Sequence, residues 1–154
     1  MTEELTRELR RKHLHYELYS HEPTMTAGEE AAELRVPRAQ VAKTLVLSTP
    51  DGHIRVVLPA SERLDLHKIR KLVGEGKTVR LATEAELAAA YPMFELGAVP
   101  PFGGPSGDRT IVDRRLSELE SIVIEAGSHT ESVRIDADDL VAITGAEIAD
   151  ICAD

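Results

Sequence analysis

Hydrophobic residues along this chain recur with two periods, and the switches between them mark its elements. The stretch from Thr2 to about Lys12 keeps the helical spacing, with Thr2 as the expected N-cap. Leu14, Tyr16 and Leu18 alternate with His15 and Glu17, which predicts a strand. Thr26 followed by Glu29 reads as a capping box that opens an Ala-rich helix ending near Leu34. Pro37 then permits only a new first turn. Val41 to Ser48 is a continuous apolar strand broken by one charge, Lys43. Thr49-Pro50-Asp51-Gly52 has the chemistry of a turn, so His53 to Leu58 is expected as the second arm of a hairpin.

A basic amphipathic helix is predicted from Leu64 to Val73, stopped by Gly74. Thr78 to Leu81 reads as a short strand, and Thr83 with Glu86 as a second capping box opening a helix to about Tyr91. Pro92 to Gly107 is a Pro/Gly loop. Strands are expected at Thr110 to Val112, Ser121 to Glu125 and Val133 to Ile135, and Asp136 as the cap of a last helix to about Thr144. Strands and helices follow one another in mixed order with at least one hairpin. That predicts an α+β domain with a mixed, largely antiparallel sheet rather than a doubly wound parallel one. A chain of 154 residues fits one such domain.

Composition narrows the picture. Aromatic residues are only 3%, so Val, Leu, Ile and Ala must fill the core. No stretch is apolar enough to span a membrane, and the charged N-terminus reads as a helix start rather than a signal peptide. The single cysteine, Cys152, excludes a disulfide framework and makes a reducing cytoplasm the expected compartment. Its place so near the chain end predicts a side chain too mobile to serve as a nucleophile. The net charge of −9 argues against a reader of long nucleic acid such as DNA. The charge is uneven, however. Residues 1–80 hold 14 Lys and Arg against 12 Asp and Glu, and residues 81–154 hold 4 against 15. A protein that touches only the end of an RNA needs few cations and could carry such a balance; asymmetry that serves solubility alone would look the same.

Several apparent motifs fail on inspection. Gly74-Glu75-Gly76-Lys77-Thr78 resembles the end of a phosphate-binding loop, but Lys71 stands where its first glycine belongs and a strand follows where a helix is required. Gly104-Pro105-Ser106-Gly107 does not match the nucleophile elbow. His13, His15 and His21 lack a carboxylate or cysteine at supporting spacing, so no metal site is expected. Asp136, Asp138 and Asp139 lack the glycine and terminal Glu of a calcium loop and suit a helix N-terminus.

Three features remain. Lys43 inside an apolar strand is costly unless its charge finds a partner or the surface. It reads either as an edge lysine with its head in water or as a cation placed for a phosphate. Gly97-Ala98-Val99-Pro100-Pro101-Phe102-Gly103-Gly104 joins stiff prolines to permissive glycines. It is either a rigid turn or a cradle of backbone N–H groups of the kind that ester hydrolysis requires. Glu125-Ala126-Gly127-Ser128-His129 ends a predicted strand, with His129 either an exposed loop histidine or a group that positions substrate or water.

Taken in order, these pieces resemble the YbaK and prolyl-tRNA-synthetase-associated editing domain family. The matching stretches are Tyr16 to His21, Thr26 to Ala32, Val41 to Leu47, Leu58-Pro59, Leu64 to Leu66, Gly97 to Gly103, Val112-Asp113 and Ala126-Gly127. The resemblance spans about residues 10 to 151. It implies a partly closed central sheet surrounded by helices, and hydrolysis of the ester between a mischarged amino acid and the terminal adenosine of tRNA. Lys43 then matches the lysine that engages the adenosine phosphate, Gly97 the start of the loop that holds the aminoacyl carbonyl, and Gly127 the glycine of the opposite wall. The same resemblance implies a substrate-binding set of Tyr16, His21, Thr44, Ala98, Val99, Pro101, Phe102, Ser128 and His129, no metal or cofactor, and water activated by the substrate's own ribose hydroxyl. The partners implied are the acceptor end of aminoacyl-tRNA and an aminoacyl-tRNA synthetase. Members acting on cysteinyl-tRNA carry Asp where Ser132 aligns and Ser where this chain has Glu125. The Tyr91 to Gly103 run with Gly127-Ser128-His129 looks more like members that act on Ser, Thr or Ala. A non-catalytic binding or regulatory module of the same fold is the alternative.

Overall fold

The structure is a computed structural model that describes residues 3–74, 78–104 and 107–154. The expected N-cap Thr2, the Glu75–Lys77 part of the phosphate-loop-like segment and Pro105–Ser106 lie outside the described residues.

Helix α1 (Glu3–Arg11) buries Leu5 and Leu9, one turn apart, and turns its charges outward. Strand β1 (Tyr16–Ser20) begins two residues later than the alternation predicted, because its extent is set by pairing with a distant strand rather than by its own pattern. Thr26 caps α2 (Ala27–Leu34) by accepting from Glu29 N. The Glu29 carboxylate reaches back to Met25 N, one residue short of closing the expected box. A 3-10 turn (Arg38–Gln40) after Pro37 leads into β2 (Ala42–Thr49) and its hairpin partner β3 (Gly52–Pro59). Asp65 caps α3 (Leu66–Val73) through His67 N and Lys68 N, and Gly74 ends it in the left-handed conformation. The short β4 (Arg80–Leu81) precedes α4 (Glu84–Ala90), where the Thr83–Glu86 box is complete.

The second half adds β5 (Arg109–Asp113), α5 (Arg114–Ser117), β6 (Ser121–Glu125), β7 (Glu131–Asp136), α6 (Ala137–Thr144) and β8 (Glu147–Ala149). Neither α5 nor β8 was predicted; both are too short for a periodic signal. Asp136 sits at the N-cap of α6 but makes no side-chain capping bond, so its expected role is only positional.

The strands form two sheets. One is antiparallel in the order β1-β7-β6, and the other is mixed in the order β4-β2-β3-β5-β8, with β3, β5 and β8 parallel. One parallel bridge, Val41 to Val123, joins β2 to β6 and makes the two sheets a partly closed unit. The larger core fills the space between the sheets, α1 and α6, with Val57, Phe102, Ile122, Ile124, Val133 and Leu140. A second core lies between β2, β3 and α3 and contains Cys152. Cys152 is therefore buried rather than mobile, and burial, with Asp113 beside it, pushes its thiol up to about 12. No described helix is long and apolar enough to cross a membrane.

Candidate active site

The site is organised by a gap between strands. β2 and β6 touch at the Val41–Val123 bridge, and β4 rejoins that edge of β2 only at Leu47. Lys43, Thr44 and Leu45 between them form an open strand edge among the described residues, beside the end of β6 at Glu125. The segment 95–99 crosses this gap. At the β6 side Glu95 N donates to Gly127 O at 2.9 Å. At the β2 side Val99 packs on Val46, Tyr91 and Phe94. Gly97 stands midway, exposed, with φ +83°. That conformation suits glycine, and its N–H makes no hydrogen bond within the described chain.

The crossing segment is held from two sides. His129 N donates to Glu95 Oε2 at 2.8 Å, and His129 Nε2 lies 2.7 Å from Leu96 O. A carbonyl only accepts, so Nε2 carries the proton and His129 serves as an anchor of the loop. Gly127, with φ +89°, lets the β6–β7 turn present its carbonyl to Glu95. From the other side Arg55 of β3, only 2% exposed, donates to Pro100 O at 3.0 Å and Gly103 O at 2.6 Å. Its Nε pairs with Asp108 at 3.1 Å, and its guanidinium lies 4.8 Å from the centre of the Tyr91 ring. Tyr91 donates to Asp108 in turn, and burial, with Asp108, pushes its phenol up to about 12. The sequence reading missed Arg55, although a lone charge in the apolar run of β3 is the same signal that singled out Lys43.

Lys43 leaves β2 on the opposite face from Val46. Strand alternation puts Val46 toward Val99, and Leu45 and Leu47 toward the second core on the opposite face. Lys43 is in phase with Leu45, so it leaves β2 on the face away from Val99; Thr44 shares the Val46 face. Lys43 Nζ donates to Glu62 O at 2.5 Å. Burial, with Arg38 and Arg63 nearby, holds its pKa below the usual lysine value.

The other expected residues fall into three groups. Ser128 and His129 lie at the turn that holds the loop, with Ser128 Oγ 3.3 Å from Thr130 Oγ1. Ala98, Val99, Pro101 and Phe102 are buried, so they shape the loop from within. Tyr16 opens β1 and His21 follows its last residue, roughly 16 Å apart at strand spacing, and only His21 approaches the β6–β7 turn, through its N–H to Thr130 O.

A polar cluster that the sequence reading did not anticipate lies under α2. Glu30 is 1% exposed and Ser132 is 0% exposed. Ser132 Oγ contacts Glu30 Oε2 and lies 2.8 Å from His21 Nε2. His21 Nδ1 is tied to Glu22 O, so the single Ser132 proton can serve only one of its two partners. Full burial rules Ser132 out as a nucleophile despite its histidine. Burial raises the Glu30 pKa. Glu125 stands directly across the strand pair from Ser132, and burial, with Glu30 close by, pushes its carboxyl up to about 8.

A raised carboxyl pKa in the folded state means stability that is complete below the unfolded value, near 4.5, and lost as pH rises through about 8. Thermal unfolding of Glu125→Gln beside the parent should show the variant gaining on the order of 4 kcal/mol between pH 5 and pH 8.5. Parallel pH profiles for the two proteins would show that Glu125 ionises freely.

The chain is similar to known proteins over most of its length. Residues 21–143 match the family model for the aminoacyl-tRNA editing domain. The chain is 24% identical over 137 residues to an Enterococcus faecalis protein, EbsC, described as a candidate Cys-tRNA(Pro)/Cys-tRNA(Cys) deacylase, covering 88% of this chain and 82% of that one. It is 26% identical over 144 residues to the proline–tRNA ligase of Thermosipho africanus, of which it spans 24% while 84% of this chain is covered. Its fold superposes with a TM-score of 0.87 and 27% identity on a crystal structure described as a candidate trans-editing enzyme for prolyl-tRNA synthetase, covering 100% of this chain and 99% of that one. With the family model matching residues 21–143 and its fold shared over the full length of a solved relative, the chain belongs to the aminoacyl-tRNA editing domain family.

Proposed function

We propose that this chain acts in trans on mischarged aminoacyl-tRNA, hydrolysing the ester between the amino acid and the terminal ribose. The observation that carries the reading is the free Gly97 N–H, in a segment clamped at both ends above an open strand edge. In ester hydrolysis a water oxygen bonds to the carbonyl carbon, charge grows on the carbonyl oxygen, and the ribose oxygen leaves with a proton. A preorganised N–H stabilises that charge without reorganising as it forms. The water's proton passes through the neighbouring ribose hydroxyl of the substrate, so the chain supplies position and charge rather than a base.

Lys43 fits this scheme as a phosphate contact. An open strand edge is reachable from both faces, so a ligand seated against it can meet Gly97 on one side and the Lys43 ammonium on the other. One Nζ hydrogen bond is taken by Glu62 O, and Arg38 and Arg63 add positive potential there. The acceptor end of tRNA is the partner of such a site, and an aminoacyl-tRNA synthetase is the natural source of its substrates. Small residues such as Ala, Ser and Thr are the proposed cargo.

The test is release of amino acid from a panel of correctly charged and mischarged tRNAs. Hydrolysis of at least one mischarged species is expected; a folded preparation that releases none would leave a binding module as the function of the fold. In the active protein Lys43→Ala should lower kcat/KM about tenfold, the value of one charge-assisted contact, with an unchanged circular dichroism spectrum. An unaltered kcat/KM would remove Lys43 from the phosphate site.

A further inference from the structure

We propose that Glu125, backed by the buried Glu30, forms the subsite for the α-ammonium group of the aminoacyl ester. The inference rests on the deacylase reading and adds to it the group by which this chain recognises an amino acid rather than any acyl chain.

The geometry comes first. Glu125 ends β6 at the mouth of the gap and is in phase with Val123, whose side chain packs on Ala27 and Ala31 of α2. Its carboxyl therefore faces α2. Ser132, its cross-strand partner, hydrogen-bonds Glu30 on that same side. Directly opposed residues have Cβ atoms about 5 Å apart, so the two carboxyl groups share one corner. The corner is immediately next to Gly127, which carries the loop that presents Gly97.

Among the described residues no lysine or arginine pairs with either carboxyl, and the basic group beside Glu30 is the His21 imidazole, across Ser132. Among the described residues Glu125 makes no side-chain hydrogen bond and no ion pair. Glu30 Oε1 is buried with no hydrogen-bond partner at all, although its other oxygen is satisfied by Ser132. Buried carboxyl oxygens without donors are costly, and a ligand that brings donors relieves that cost. His21 is held by Ser132 and Glu22 and supplies nothing to Glu125.

The ligand chemistry follows from position. An aminoacyl ester carries one cation, two bonds from the carbonyl carbon that is attacked. Any group that reads it must therefore adjoin the donors that hold the carbonyl, as Glu125 adjoins the Gly127–Glu95 contact. An ammonium between the carboxyl groups favours their ionised forms and gives Glu30 Oε1 the donor it lacks. Neutral acyl groups such as hydroxy acids offer no such charge.

The experiment uses alanyl-tRNA and the lactyl-tRNA obtained from it by nitrous acid deamination, which differ only in the α-substituent. The parent protein should favour the alanyl over the lactyl ester in kcat/KM by at least tenfold more than spontaneous hydrolysis of the two esters does. Glu125→Gln should bring that ratio close to the spontaneous one by slowing the alanyl ester, leaving the lactyl rate within about twofold. A ratio unchanged by Glu125→Gln, or a parent with no preference beyond the spontaneous one, overturns the proposal while the deacylase reading stands. Calorimetry with the amide-linked analogue 3'-alanylamino-3'-deoxyadenosine and its lactoyl counterpart reads the same preference without turnover. Equal affinities there overturn the subsite, whereas absence of release from every tRNA in the panel defeats the deacylase reading itself.

Discussion

An Arg55→Met variant should unfold about 3–5 kcal/mol more easily than the parent in urea at pH 7, the loss expected when one partner of a buried pair is removed. Four contacts depend on this side chain: the Pro100 and Gly103 carbonyls, the Asp108 carboxylate and the Tyr91 ring. Met fills much of the volume but leaves both carbonyls without their donor and Asp108 with Tyr91 alone. Against a total stability of about 5–15 kcal/mol for a domain of this kind, the loss is large. Arg55→Lys keeps the charge but presents one compact ammonium in place of a planar fork, so it should fall between Met and the parent. A urea midpoint for Arg55→Met within experimental error of the parent would show that the loop is held by its own backbone and prolines. The same variant, studied at low temperature where it stays folded, should hydrolyse poorly, because the far end of the Gly97 segment loses its tether.

The second large effect is expected at Gly97. Gly97→Ala should lower kcat for deacylation by about 100-fold, the scale of a roughly 1 Å misplacement of a catalytic donor. The added methyl meets the His129 ring at 3.5 Å, an ordinary contact, so crowding is not the cause. The cause is the φ of +83°, which an L side chain tolerates at a cost of about 1–2 kcal/mol. The segment is exposed and short, so it should relax toward an ordinary conformation and move the free N–H, while the melting temperature drops by only a few degrees. The measurement is single-turnover hydrolysis together with thermal unfolding. A kcat within threefold of the parent would mean that the carbonyl oxygen is held by some other donor.

The two variants separate two jobs. Arg55 acts through the loop and should alter stability and rate together. Gly97 touches the substrate in the proposed scheme and should alter rate with little change in stability. The Lys43 and Glu125 variants complete the set, one sensitive to the phosphate end of the ligand and the other to the ammonium end.

Local chemistry was readable in the chain. The capping residues Thr26 and Thr83 act within one turn of their own position, and Gly74 stops α3 for reasons internal to its backbone, whereas Asp65, read as lying inside that helix, is its N-cap. The β2–β3 hairpin was legible because its turn residues and apolar runs are adjacent. The family could be recognised from short stretches in fixed order, and with it the glycine–proline segment and Lys43. The signal for Glu30 was also present: it lies on the same helical face as Ala27, Ala31 and Leu34, where a charge is out of place.

What the chain could not reveal are relations between segments far apart in sequence. The Lys43 strand was identified correctly, yet which face it offers to Val99 depends on how β2 docks against residues fifty positions later. The short α5 and β8 exist because β5 and the β7–α6 unit give them surfaces to lie on. Arg55, Glu30 and Ser132 became meaningful only when folding removed water around them and left each dependent on one or two specific partners. Periodicity and capping are set by neighbours along the chain and survive in any context. Burial, charge pairing and the facing of side chains across a gap are set by packing, which only the tertiary structure decides.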